Sequence, residues 1–134
     1  MKPQLNQVLV IDDDDHSNFF TQMTLEESDY TRNIKIVQSG KQGLEYLKGT
    51  RPQSGDYPDL IFLDINMPGM NGWEFIEEYK KLDKELKSKI ILVILTTSDN
   101  PEHEMLAKTH NVIADFRTKP LTNAMLEDIM SKYF

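Results

Sequence analysis

The sequence predicts a doubly wound α/β domain with a five-stranded parallel sheet and five helices. Three observations predict it: short apolar runs recur without polar alternation, the stretches between them carry apolar residues at helical spacing, and the two patterns take turns along the chain. Runs that are β-branched and apolar on both faces read as strands buried on both sides. Strands alternating with helices imply parallel pairing through right-handed crossovers. At 134 residues the chain has the length of one domain, expected over 1–134.

Taken in order, Val8 to Ile11 is the first strand. His16, Phe19, Phe20 and Met23 then fall at i, i+3, i+4 and i+7, which predicts a helix with those residues on one face. Ile34 to Val37 is a weaker second strand, and Gly40 to Leu47 a weaker second helix. Lys48 to Asp59, rich in Gly, Pro and polar residues, reads as a surface loop. Leu60 to Leu63 is the third strand, and Phe75, Ile76 and Tyr79 mark a helix after Asn71-Gly72. Leu82 to Lys89 reads as a charged, solvated connection. Ile90 to Leu95 is the fourth strand, followed by a helix from Pro101 to Thr109 with the proline in its first turn. Val112 to Phe116 is the last strand. Leu121, Met125, Leu126, Ile129 and Met130 form the stripe of a final helix with Thr122 as its N-cap. The methionines and phenylalanines are expected mostly in the core.

Composition narrows the function. Lys and Arg number 15 against 22 Asp and Glu, a net charge of -7. A broad basic face for nucleic acid is therefore not expected. The absence of cysteine excludes disulfides, thiolate metal sites and Cys nucleophiles. Met1 to Val10 lacks a signal-peptide pattern, and the longest apolar run is too short to span a bilayer, so the expected location is the cytoplasm, with no membrane partner.

The chemistry lies at the strand ends. The first strand runs into Asp12-Asp13-Asp14-Asp15, the third into Asp64, the fourth into Thr96-Thr97, and Lys119-Pro120 lies just past the fifth. In an open parallel sheet, ligands bind outside the carboxyl ends of the strands. Carboxylates from neighbouring strand ends repel by about 1 kcal/mol at 4 Å in water and about 4 kcal/mol at an effective dielectric of 20. A divalent cation removes that cost, and hard oxygen donors suit Mg²⁺ or Mn²⁺. An ammonium (Lys119) and a hydroxyl (Thr96) can hold phosphate oxygens. Together they describe phosphoryl transfer, with Asp64 as a nucleophile that would form an acyl phosphate. Asp14 and Asp15 read as caps of the first helix. His16, His103 and His110 read as surface or helix residues, and Trp73 is expected to pack on the third helix, near enough to Asp64 to report on it.

Four segments carry a resemblance: VLVIDDDD (Val8 to Asp15), LIFLDINMPGMNGWEF (Leu60 to Phe75), VILTTSDNP (Val93 to Pro101) and ADFRTKPLT (Ala114 to Thr122). In this order and spacing they resemble the receiver domain of two-component response regulators, over essentially the whole chain. The resemblance implies a flavodoxin-like three-layer fold with strand order 2-1-3-4-5. It implies Asp64 as phosphoacceptor, with Asp12, Asp13, Asp64 and the Asn66 backbone carbonyl around the metal. Asp13 would ligate directly and Asp12 largely through water. Thr96 would be the switch hydroxyl, Lys119 the phosphate-binding lysine, Phe116 the aromatic switch, and Pro120 would follow a cis peptide. Asn66 and Ser98 occupy positions that tune acyl-phosphate lifetime in that family.

The expected function is that of a free-standing response regulator, since no output domain follows the last helix. A sensor histidine kinase or histidine phosphotransfer protein would donate the phosphoryl group. The output, a protein contact or onward transfer, would use the surface of the helix after Pro101, the last strand and the last helix. No enzymatic activity is expected beyond its own phosphotransfer and autodephosphorylation, and the chain would be a monomer or weak homodimer. A haloacid-dehalogenase-type hydrolase would want a second Asp where Asn66 stands. An FMN carrier would want a hydroxyl- and glycine-rich loop where four carboxylates stand, and a calcium loop its own ligand spacing and central glycine. The alternative kept is a receiver-like binding module that takes no phosphate.

Overall fold

The computed structural model describes residues 4–31, 33–98 and 100–134. Part of the N-terminal segment read above (residues 1–3) and Asp99 of the VILTTSDNP segment lie outside the described residues. Five parallel strands are arranged in the order β2-β1-β3-β4-β5: β1 Val8–Ile11, β2 Ile34–Val37, β3 Leu60–Leu63, β4 Ile91–Thr96 and β5 Ile113–Thr118. The helices are α1 Asp15–Ser28, α2 Gly40–Lys48, α3 Gly72–Tyr79, α4 Lys84–Ser88, α5 Pro101–Lys108 and α6 Asn123–Tyr133.

Successive strand residues point to opposite faces, so each central strand supplies two cores. Leu9, Ile11, Ile61, Leu63, Leu92 and Ile94 pack with Leu44, Leu47, Phe75, Ile76 and Ala107, on the side of α2, α3 and α5. Val8, Val10, Leu60, Phe62, Val93 and Leu95 pack with Leu25, Leu126, Ile129 and Met130, on the side of α1 and α6. This is the three-layer doubly wound architecture that the alternating runs predict.

Several expectations need correction. On α1, Phe19, Phe20 and Met23, expected in the core, are not buried: Phe19 is 61% and Phe20 60% exposed, and Met23 is exposed too. The helix instead buries Asn18, Thr21, Leu25 and Ser28. Hydrogen-bond partners offset part of the cost of burying the polar members of that stripe, although Asn18 Oδ1 has none among the described residues. Asn18 Nδ2 donates to the Asp12 carbonyl at 2.9 Å, and Ser28 Oγ donates to the Leu25 carbonyl at 2.7 Å. Leu82 to Lys89 is not a bare connection but contains the single-turn helix α4, a sixth helix. Its only buried residue is Leu86, and Asp83 caps it by accepting from Glu85 N–H at 2.8 Å. One buried residue produces no periodicity. The methionines and phenylalanines also divide more evenly than expected. Met67, Met130, Phe62 and Phe75 are buried, but Met23, Met105, Phe19, Phe20 and Phe134 are exposed.

Strand bounds shift slightly. β4 starts and ends one residue later than its apolar run, and β5 continues to Thr118, because the Thr96 to Thr118 pairing needs only backbone groups. The loop from Lys48 to Asp59 contains a 3₁₀ turn, Pro52–Ser54, closed by an antiparallel bridge between Arg51 and Asp56.

The turn after β3 is tight. A Cβ on Gly72 would lie 2.5 Å from Ile65 Cα and 2.9 Å from the Asp64 carbonyl oxygen. Both are backbone atoms, so the chain itself would have to move. Gly72→Ala is therefore expected to destabilise the protein by about 1–3 kcal/mol or more. Denaturant unfolding of the variant checks this, and wild-type stability would show that the turn has slack.

Candidate functional site

Strand register builds the site. Ile11 pairs with Leu63, so Asp12 and Asp64 leave adjacent strands side by side. Asp12 N–H donates to the Val37 carbonyl and Asp64 N–H to the Ile11 carbonyl, continuing the ladders one residue past the strands. On the other side, Lys119 N–H donates to the Thr96 carbonyl at 2.8 Å, bringing the end of β5 against the end of β4. The Lys119–Pro120 peptide is cis.

Side chains converge accordingly. Asp12 and Asp64 are 3% and 6% exposed, and Thr96 is fully buried. Thr96 Oγ1 donates to Asp64 Oδ1 at 3.0 Å, as does Asn66 N–H at 3.1 Å. Lys119 Nζ lies 3.3 Å from Asp64 Oδ2 and makes a hydrogen-bonded ion pair with Asp12 Oδ2. Burial is the main reason the Asp64 carboxyl is pushed above the usual carboxylate range. The Asn66 N–H, Lys119 and the Thr96 hydroxyl pull the other way, and Asp12 adds to the rise.

Carboxylate oxygens of Asp12, Asp13 and Asp64 all lie within 4.8 Å of one another. Three converging hard oxygens at a strand-end edge fit a divalent cation such as Mg²⁺ or Mn²⁺. Asp12, Asp13, Asp64, Thr96 and Lys119 are thus brought together. Asn66 approaches through its N–H, while Phe116 stands apart, half-buried on the α5 side of the sheet, where it shares a groove with Glu104, Ala107 and Lys108.

Sequence reasoning missed the residues that hold Asp12. Its carboxylate accepts from the Ser17 hydroxyl at 2.9 Å and from Asp14 N–H at 3.0 Å, while Asn18 holds its carbonyl. Their signal was only that both polar side chains fall in the first turns of a helix that starts beside the acid. Asp14 caps α1 by accepting from His16 N–H, in keeping with its reading as a cap.

Comparison with known proteins decides the family. The response regulator receiver domain matches residues 8–131. The chain belongs to this family. It is 31% identical over 129 residues to the hybrid signal transduction histidine kinase L of Dictyostelium discoideum, covering 96% of this chain but 7% of that protein. Response regulator Rcp1 of Synechocystis sp. is 30% identical over 117 residues, 84% of this chain and 75% of Rcp1. Among solved structures, a two-component response regulator from Cytophaga hutchinsonii superposes with a TM-score of 0.89 at 32% identity, covering 96% of both chains. A Mn²⁺-bound form of Rcp1 superposes with a TM-score of 0.75 at 25% identity, covering 96% of this chain and 94% of Rcp1. The chain spans less than half the length of the first curated relatives, 7%, 47% and 24% of them. As a receiver domain it has its place in phosphorelay signalling, in which receivers take phosphoryl groups from histidine kinases. Among the described residues, no helix is long and apolar enough to cross a membrane.

Proposed function

We propose that this protein is a cytoplasmic, stand-alone response regulator that accepts a phosphoryl group on Asp64 in a Mg²⁺-dependent reaction. The observation that carries this reading is the convergence on Asp64 of a hydroxyl, an ammonium and two further carboxylates from three other strand ends.

An oxygen of the Asp64 carboxylate attacks the phosphorus of a phosphohistidine on a kinase or phosphotransfer protein. The new P–O bond replaces the P–N bond, and the departing imidazole takes a proton from solvent. Asp12 and Asp13 would hold the cation, which when bound would supply charge neutralisation for the incoming phosphoryl oxygens. Lys119 and Thr96 already contact Asp64 and are placed to close on the new dianion, Lys119 as a point charge and Thr96 as a donor. Phe116 turns inward as Thr96 shifts, altering the surface of α5, β5 and α6. The exposed aromatic residues of α1 offer the donor an apolar contact: Phe20 lines a cleft together with Ser17, Thr97 and Lys119. Beyond transferring and hydrolysing its own phosphoryl group, the protein catalyses nothing.

Incubation with Mg²⁺ and acetyl phosphate is expected to add one phosphoryl group to the intact mass. A folded protein whose mass does not change would instead favour a binding module that needs no phosphate.

A further inference from the structure

A hydrogen-bonded chain leaves the site on the side away from Asp12. Thr96 Oγ1 donates to Asp64 and also accepts from Ser98 N–H at 3.3 Å. Ser98 Oγ is hydrogen-bonded to His103 Nδ1 at 2.6 Å and accepts from Asn100 N–H at 3.3 Å. Asn100 is the N-cap of α5, so Ser98 is tied both to a side chain of that helix and to its cap.

His103 in turn meets an aromatic cluster. Its ring lies edge-on to Trp73 of α3, with centroids 6.2 Å apart. His110, in the turn before β5, stacks on Trp73 at 6.0 Å. The three rings join α3, α5 and the approach to β5. His110 Nδ1 is buried and has no hydrogen-bond partner among the described residues, with Glu77 Oε1 at 4.0 Å. A polar atom held this loosely leaves the ring free to re-seat when its neighbours move.

The Thr96 hydroxyl has one proton and a limited set of acceptor directions. When it turns from the carboxylate to a phosphoryl oxygen, the direction it offers Ser98 N–H turns with it. Ser98 then moves, and His103 is bonded to Ser98. We propose that Ser98 and His103 are positioning residues that couple the state of Asp64 to the Trp73–His103–His110 ring cluster. Phosphorylation is thereby read on the α3–α5 side of the molecule by a route separate from Phe116. This rests on the receiver reading above and adds to it a second route of communication.

Trp73 is the only tryptophan, so its emission reports the cluster directly. The experiment holds Mg²⁺ constant, adds acetyl phosphate, and records intact mass and Trp73 emission on the same samples. In the wild type both are expected to change. Ser98→Ala removes the hydroxyl, and His103→Phe keeps a ring against Trp73 but cannot bond to Ser98. Both variants are expected to gain the phosphoryl mass while the emission change falls at least threefold. Ser98→Thr, which keeps a hydroxyl, is expected to restore it. Phosphorylation of the wild type without an emission change would overturn the coupling, as would full responses in both Ser98→Ala and His103→Phe. If the wild type gains no mass, the receiver reading fails as well, and the mass record separates that case from failure of the coupling alone.

Discussion

Asp64→Asn is expected to lose phosphoryl uptake completely and, without divalent cations, to be more stable than the wild type at neutral pH. The first effect follows because an amide oxygen is not a nucleophile towards phosphorus at ordinary rates, and the surrounding groups converge on this one carboxylate. The second follows from burial. Asp64 holds its proton to higher pH in the folded chain than in the unfolded one, so its ionisation costs stability. That cost is absent below the unfolded carboxyl pKa, roughly 3.9, and grows as pH rises through the folded value. Asparagine has nearly the shape of the protonated acid and carries no charge at any pH. The melting temperature of the variant should exceed that of the wild type at pH 7. The difference should shrink to nothing as the pH is lowered towards 4. Phosphate on another residue of the variant would show the acceptor to be misassigned, and a variant less stable at pH 7 would show that the contacts of Asp64 outweigh its burial.

The same balance explains what could be read from residue order. Val8 to Ile11, Leu60 to Leu63 and Leu92 to Leu95 are buried on both faces, and such strands announce themselves without any periodicity. Parallel register then fixes which residue follows each strand at the edge, so Asp12, Asp64 and Thr96 could be placed from spacing alone. The rotation of α1 could not. Its most apolar stripe faces outward, because Asn18 is held at the Asp12 carbonyl and Leu25 lies under the sheet. Hydrophobic spacing assumes that polar groups stay outside, and here local partners release Asn18 and Ser28 from that rule. The Ser98–His103 bond was illegible for a different reason: it joins a loop to a helix through side-chain geometry that no repeat encodes.

Lys119→Ala is expected to destabilise the protein when no divalent cation is present and to uncouple phosphorylation from structural response. Lys119 bridges Asp12 and Asp64, and all three side chains are nearly buried. Removing one partner of a buried ion pair leaves charge without compensation and costs about 3–5 kcal/mol. Here the loss leaves two carboxylates facing each other, with Asp13 close by. Mg²⁺ should recover more stability in the variant than in the wild type, because no ammonium competes for Asp12 and tighter binding adds stability as the logarithm of saturation. A cation titration followed by thermal unfolding measures both quantities. Phosphoryl uptake should persist, since Asp64 and the other two acids remain, but the dianion would lack the ammonium that in the wild type it draws off Asp12. With the lysine gone, that movement cannot occur, and the Trp73 emission change should fall with it. A variant as stable as the wild type in chelator, with a full emission response to acetyl phosphate, would remove Lys119 from the switch and leave Thr96 to carry it alone.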